Sequence, residues 1–296
     1  MTFPVVNELR TIEFGTSGDS RSRLIDFVMR GNKRATAGLL HDYEKEGEPV
    51  EFVGECLAMV DNDGIHVATL RVVRTEISRF ADVPDEFALA EAEGDLNAAD
   101  FRASHLSYWT GAGETISDDT QVVQVYFELL PHLLRPLQPS DAEWIYRACQ
   151  DPEIQRWTVV PRPYTLDHAK EFISGSTGQR IVRVIHDVNH SEPVGIASIH
   201  QIENGVATVG YWVAPWGRRR GAASTALLTL ASTATRIKGT HTLRAEIAET
   251  NSASQATAER AGLSIREMGE KKCPDGDKQV RGLIFERKLG NSQAAH

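Results

Sequence analysis

Apolar and polar positions alternate along much of the chain, and the runs predict short strands set among helices. In the second half the alternation predicts strands at residues 181–187, 194–201, 207–213 and 242–248, with turn residues Asn189 to Pro193 joining the first two. Helical spacing predicts segments at about 141–148, 165–173, 221–237 and 252–261. Ser140-Asp141-Ala142-Glu143 has the form of a capping box, in which the serine oxygen accepts from an early helix N–H and the glutamate reaches back. A last hairpin is expected to turn at Asp275-Gly276. The first half predicts a helix over 22–30 and strands at 56–61, 67–73 and 121–130, with Asp63-Gly64 turning a hairpin. Helices interleaved with strands place the chain in the mixed α/β class. Leu130-Pro131-His132 interrupts the β-rich run, so the expected division is 1–131, 132–290 and a flexible tail at 291–296.

Composition changes this picture little. A chain of 296 residues suits two domains, and no stretch approaches the ~18–20 apolar residues of a membrane helix. The start, Met1-Thr2-Phe3-Pro4, has no basic and apolar signal segment, and Cys56, Cys149 and Cys273 are far apart, with neither a disulfide framework nor zinc spacing. The expectation is a cytoplasmic protein without a metal. Charge is more informative. The net charge is −9, but residues 1–131 hold 11 Lys+Arg against 24 Asp+Glu, and the rest holds 21 against 17. A basic second half suits an anionic ligand. The acidic first half argues against loose adhesion to nucleic acid, which is driven by phosphate neutralisation.

The densest chemistry lies at Val213-Ala214-Pro215-Trp216-Gly217-Arg218-Arg219-Arg220-Gly221-Ala222-Ala223-Ser224. A strand ends, small and basic residues follow, and a helix begins. The first helical turn offers backbone N–H groups without internal partners and the positive end of the dipole. Small residues admit a diphosphate to that backbone, and arginines add countercharge. Arg218-x-x-Gly221-x-Ala223 fits the (Q/R)-x-x-G-x-(G/A) pattern of the GNAT superfamily. Leu133 to Leu137, Asp151 to Trp157, Gly210-Tyr211-Trp212-Val213, Asn251-x-x-Ser254 and Ala261-Gly262-Leu263 resemble its ribosomal-protein N-acetyltransferase branch.

That resemblance implies an acyl-CoA-dependent N-acyltransferase in a mixed α/β fold, with acetyl-CoA or another acyl-CoA as donor. Backbone amides at Arg219, Arg220, Gly221, Ala222, Ala223 and Ser224, beside Arg218, would hold the pyrophosphate. Val213 would pair with the pantetheine arm, Asn251 would contact it, and Ser254 would protonate the departing thiolate. One position departs from the branch: the glutamate that often serves as general base two residues before Gly-Tyr is Thr208 here, which takes no proton at neutral pH. His200, on the preceding strand, is a replacement in a suitable pKa range. Glu246, Glu249 or a water chain are alternatives.

The first half resembles an ASCH domain, the small β-barrel fold related to PUA RNA-binding domains. The likeness rests on Gly31-Asn32-Lys33-Arg34-Ala35-Thr36, Tyr43, Glu48-Pro49, Val53-Gly54-Glu55, Arg74-Thr75, Phe80, Glu91-Ala92-Glu93-Gly94-Asp95 and Phe101-Arg102-x-x-His105. In one ASCH branch the matching lysine, threonine and glutamate hydrolyse N4-acetylcytidine, which would make Lys33, Thr36 and Glu91 or Glu93 the pocket residues. The same residues suit simple ligand binding, with a nucleotide-like or RNA end as partner. Three functions follow: an amine N-acyltransferase with an ASCH recognition domain, an aminoacyl-tRNA or RNA-linked transferase with the ASCH domain docking tRNA, and an acyl-CoA sensor without turnover. The acceptor amine and the oligomeric state are left open.

Overall fold

The computed structural model describes residues 4–176 and 181–290. The expected tail at 291–296 lies outside the described residues. The chain divides into two compact units that meet in sequence between Leu130 and Pro131.

In the first unit the strands are β1 (Val5–Val6), β2 (Leu9–Ile12), β3 (Ala35–Leu39), β4 (Cys56–Val60), β5 (His66–Arg79) and β6 (Gln121–Leu130). Its helices are α1 (Asp19–Met29), α2 (Leu40–Glu46), α3 (Asp85–Glu91) and α4 (Ala98–Gly111). The strands form one six-stranded sheet in the order β1-β2-β4-β5-β6-β3. Among the described residues no pairing joins β3 back to β1. Its aromatic core forms because Phe80, from the 3-10 turn after β5, and Phe87, Phe101 and Trp109, from α3 and α4, bury against Ala35, Leu39 and Val122 of β3 and β6. A second cluster seats α1 through Leu24 and Val28 on Met59, Leu70 and Phe127. A fully buried phenylalanine contributes about 1.5–3 kcal/mol, so these rings hold α3 and α4 in place.

The second unit runs β7 (His132–Pro136), α5 (Ala142–Ala148), α6 (Pro152–Trp157), α7 (Leu166–Gly175), β8 (Ile181–Asp187), β9 (Glu192–Glu203) and β10 (Val206–Val213). It continues through α8 (Ala222–Thr235), β11 (Thr242–Ala248), α9 (Ser252–Arg260), β12 (Ser264–Asp275) and β13 (Lys278–Lys288). Seven strands lie in the order β12-β13-β11-β10-β9-β8-β7. All pairs are antiparallel except β10 with β11, which α8 connects, since parallel neighbours need a crossover. The two sheet faces are covered differently. Val194, Ala197, Ile199, Ala207, Val209, Leu243 and Ala245 pack with α8 and α9. Val182, Val184 and Ile196 pack with α5, α6 and α7. Strand alternation then puts His200, Gly210, Trp212 and Glu246 on the second face.

The helix start expected from Ser140 and Glu143 lies elsewhere. A single 3-10 turn at Pro139–Asp141 precedes α5, and its capping box joins Gln138 to Asp141. Proline at the first helical position begins the turn earlier than the serine would. Asp141 is further held by Arg135 at 2.7 Å and by Trp144 Nε1 at 2.7 Å.

Candidate active site

The site begins where β10 leaves β11. The parallel ladder pairs Val206–Val209 with Thr242–Ala245 and stops. At that point β10 also slips its register against β9, between Thr208 and Val209. A bulge adds twist to one strand, so Gly210 to Val213 stay paired with β9 while diverging from β11. The resulting slot has unpaired main chain along one edge, ready to take an extended ligand by strand-like hydrogen bonds.

Beyond Val213 the chain reaches the basic turn. Gly221 has φ +83° and is the residue before α8, a conformation glycine adopts without penalty. Space beside it is open: a Cβ there would meet nothing within 4 Å. Arg219 also has positive φ, +64°, a cost of order 1–2 kcal/mol for a side-chain-bearing residue. The three arginines are not equivalent. Arg218 donates to both carboxylate oxygens of Asp151, the second at 3.4 Å, and to the Val213 carbonyl at 3.3 Å. Arg220 reaches Asp187 at 3.4 Å and Glu192 at 3.2 Å. Arg219 is exposed and, among the described residues, has no ion-pair partner.

The groove on this side is lined by Arg218, Arg219, Gly221, Ala222, Ala223 and Ser224, with Val213 and, from α9, Asn251, Ser254 and Arg260. Arg220 is not part of the lining. Asn251 caps α9, its Oδ1 accepting from the Ser254 N–H at 3.1 Å. The Tyr211 hydroxyl donates to the Ser254 carbonyl at 3.3 Å, and burial pushes its pKa up.

A second cavity of about 610 Å³ lies on the α7 side and includes His200, Gly210, Trp212, Glu246, Phe172 and Trp157. A Cβ on Gly210 would stand 3.4 Å from the His200 ring, so this glycine keeps the floor open beside the imidazole. Thr208 is buried and outside the lining, as is the exposed Glu249. His200 and Glu246 are the two expected proton acceptors that the fold brings to one cavity. Trp157, Phe172, Tyr211, Trp212 and Arg260 gained no role from sequence reasoning. Asp-Pro at 151–152 is a helix-start signal that would have placed Trp157 at the end of α6.

In the first unit Lys33 is 1% exposed and Glu91 is 1% exposed. Lys33 Nζ donates to Glu93 at 2.5 Å and to the Glu91 carbonyl at 3.3 Å, and stands 3.9 Å from the Glu91 carboxylate. Burial pushes the Glu91 carboxyl up to about 8, against the pull of Lys33. Its Oε2 lies 3.4 Å from His105 Nε2, and His105 stacks on Phe101 at 3.9 Å. Three expected pocket residues, Lys33, Glu91 and Glu93, thus meet. Thr36 pairs with Val125 in the β3–β6 ladder and, among the described residues, makes no hydrogen bond to any of the three.

Known families divide the chain in the same way. Residues 132–264 match the acetyltransferase (GNAT) domain, and residues 10–131 match the ASCH domain. No protein of curated function matches the chain in sequence. Among solved structures it is similar to RimL, the ribosomal L7/L12 alpha-N-protein acetyltransferase in complex with coenzyme A. That match has 19% identity over 54% of this chain and 94% of that one, with a TM-score of 0.47. It is also similar to spermidine N-acetyltransferase from Vibrio cholerae in complex with CoA and spermine, at 14% identity over 55% and 98%, TM-score 0.49. The first half is similar to an ASCH domain from Lactobacillus crispatus, at 22% identity over 41% of this chain and 81% of that one, TM-score 0.37. Among the described residues no helix is long and apolar enough to cross a membrane. The chain therefore joins an ASCH domain, at residues 10–131, to an acetyltransferase domain of the GNAT family, at residues 132–264.

Proposed function

We propose that the second unit transfers an acetyl group from acetyl-CoA to a primary amine at the junction of the two cavities. One observation carries this reading: the groove beside α8 and the cavity beneath α7 share Trp157, Thr158, Tyr211, Trp212, Asn251 and Ser254. In this reading the diphosphate rests on the N–H groups of the 219–224 turn, and Arg219 supplies countercharge. The pantetheine arm follows Val213 and Asn251 into the slot between β10 and β11. The thioester then arrives beside Ser254, with the amine opposite. His200 or Glu246 takes the amine proton as nitrogen attacks the carbonyl carbon. The C–S bond breaks, and Ser254 passes a proton to the thiolate. Calorimetry with acetyl-CoA, paired with release of CoA thiol on adding amines, tests the reading. Absence of acetyl-CoA binding removes it.

For the ASCH unit we propose binding of a nucleotide-like ligand or an RNA end near Lys33, Glu91 and Glu93. Support comes from the cost of burying ionisable groups: Lys33 and Glu91 are each 1% exposed, with the half-buried Glu93 against Lys33, and such enclosure is weak as a source of stability. Lys33→Ala is expected to abolish binding of nucleosides that fill the pocket. Nucleosides and tRNA both failing to bind at low salt would leave this unit without a nucleic-acid role.

A further inference from the structure

We propose that Asp151 and Asp187 are positioning residues for the donor: through Arg218 and Arg220 they hold the turn at 218–221 in the shape that receives the diphosphate. This rests on the acyltransferase reading of the same groove. The turn needs holding. Arg218 is extended, at φ −68° and ψ 152°, Arg219 is left-handed at φ +64°, and Gly221 is left-handed at φ +83°. Glycine takes that conformation freely, but an arginine does not. A strained residue persists where its surroundings over-determine it. Here each chain neighbour of Arg219 is tied to a carboxylate, and the two carboxylates come from different parts of the unit.

Both carboxylates are themselves fixed by main chain. Asp151 precedes α6, and its Oδ1 accepts from the Ile154 N–H at 3.0 Å. Asp187 ends β8, and its Oδ1 accepts from the N–H groups of Asn189 and His190 at 3.0 and 3.1 Å. Its side chain is 3% exposed, against 38% for Glu192, the other partner of Arg220, so Asp187 is the firmer of the two anchors. Arg218 gives its Nη groups to Asp151 and its Nε to the Val213 carbonyl, which ties the end of β10 to the start of α6. Arg220 reaches Asp187 and does not line the groove. It can act on a bound diphosphate only by its charge or through the backbone it shares with the turn. Those two routes predict opposite signs for the aspartates. Removing a carboxylate near an anionic ligand tightens binding where charge alone acts. Where the carboxylate holds the turn, its removal lets Arg219 relax and turn its N–H aside, and the ligand must then order the turn as it binds. Binding weakens.

Calorimetry with acetyl-CoA tests this on the full chain, well below the unfolding temperature of each variant. Asp151→Ser keeps the helix start, since serine caps about as well as aspartate, and is too short to reach Arg218. Asp187→Asn keeps an oxygen for the Asn189 and His190 N–H groups and drops the charge facing Arg220. Arg218→Gln and Arg220→Gln remove the other member of each pair, on side chains exposed enough to spare the fold should an aspartate variant not survive. The expected result is a Kd raised at least about fivefold in all four. Asp151→Ser should add less than about twofold in an Arg218→Gln background, because the two act as one unit. Arg220→Lys, which still brings a charge to Asp187, should return to within about twofold of the wild-type Kd. An unchanged or lower Kd in an aspartate variant that folds, or in Arg220→Gln, overturns the inference. So does full additivity of Asp151→Ser with Arg218→Gln. Failure of the wild-type protein to bind acetyl-CoA instead strikes the acyltransferase reading beneath.

Discussion

Replacing Gly221 with valine separates what the pyrophosphate turn does for the ligand from what it does for the fold. Gly221 has φ +83° and Gly239 has φ +81°, and a Cβ at either would meet nothing within 4 Å. The two glycines flank α8, so each valine variant pays a similar conformational cost of about 1–2 kcal/mol. For a domain of this size that lowers Tm by roughly 2–8 °C. Only Gly221 lines the donor groove. A valine there places methyl groups where the diphosphate approaches bare N–H groups and turns those groups aside. Acetyl-CoA affinity should fall at least tenfold in Gly221→Val, about 1.4 kcal/mol, and stay within about twofold in Gly239→Val. Calorimetry measures both, with thermal unfolding to confirm matched stability. Equal affinities for the two variants would show that strain alone matters, and that the turn does not hold the diphosphate.

Ser254→Ala should lower kcat by more than it changes KM for acetyl-CoA, because charge on sulfur develops only during reaction; wild-type turnover would reduce Ser254 to a helix-start residue. For the base, the acidic limb of the kcat/KM profile should vanish in His200→Gln, and an unchanged limb points to Glu246. Glu91 gives a stability test. Its folded pKa is raised from 4.5 to about 8, so the folded state binds the extra proton, and the stability contributed by this group is present at pH 4 and lost as pH rises through about 8. Glu91→Gln should therefore gain stability relative to wild type as pH rises from 5 to 8, measured as a difference in Tm. A flat difference would place the Glu91 carboxyl in an ordinary environment.

Periodicity located most elements well where both faces of a strand had a clear character. β8 and β11 begin and end at the residues expected, Ile181–Asp187 and Thr242–Ala248, because their alternation is bounded by turn residues on each side. α6 stayed hidden inside a family motif, since six residues carry less than two helical turns of pattern. The divergence of β10 from β11 was not legible either. It arises from a register slip at Thr208 against β9, a relation between strands far apart in the chain. Likewise the run of three arginines reads as one basic cluster, yet Asp151 and Asp187, remote in sequence, engage two of them. Lys33 and Glu93 could be paired from sequence only through the ASCH resemblance, because 60 residues separate them and the α3–α4 aromatic core brings them together.

Transfer of an isotope-labelled acetyl group from acetyl-CoA to a primary amine, followed by mass spectrometry of the amine and titration of free CoA thiol, tests the acyltransferase reading most directly. That reading predicts labelled amide and thiol appearing in equal amounts, both falling together at least about fivefold in Gly221→Val at acetyl-CoA concentrations near the wild-type Kd. Thiol release without any labelled amide, for this or other primary amines, would contradict it.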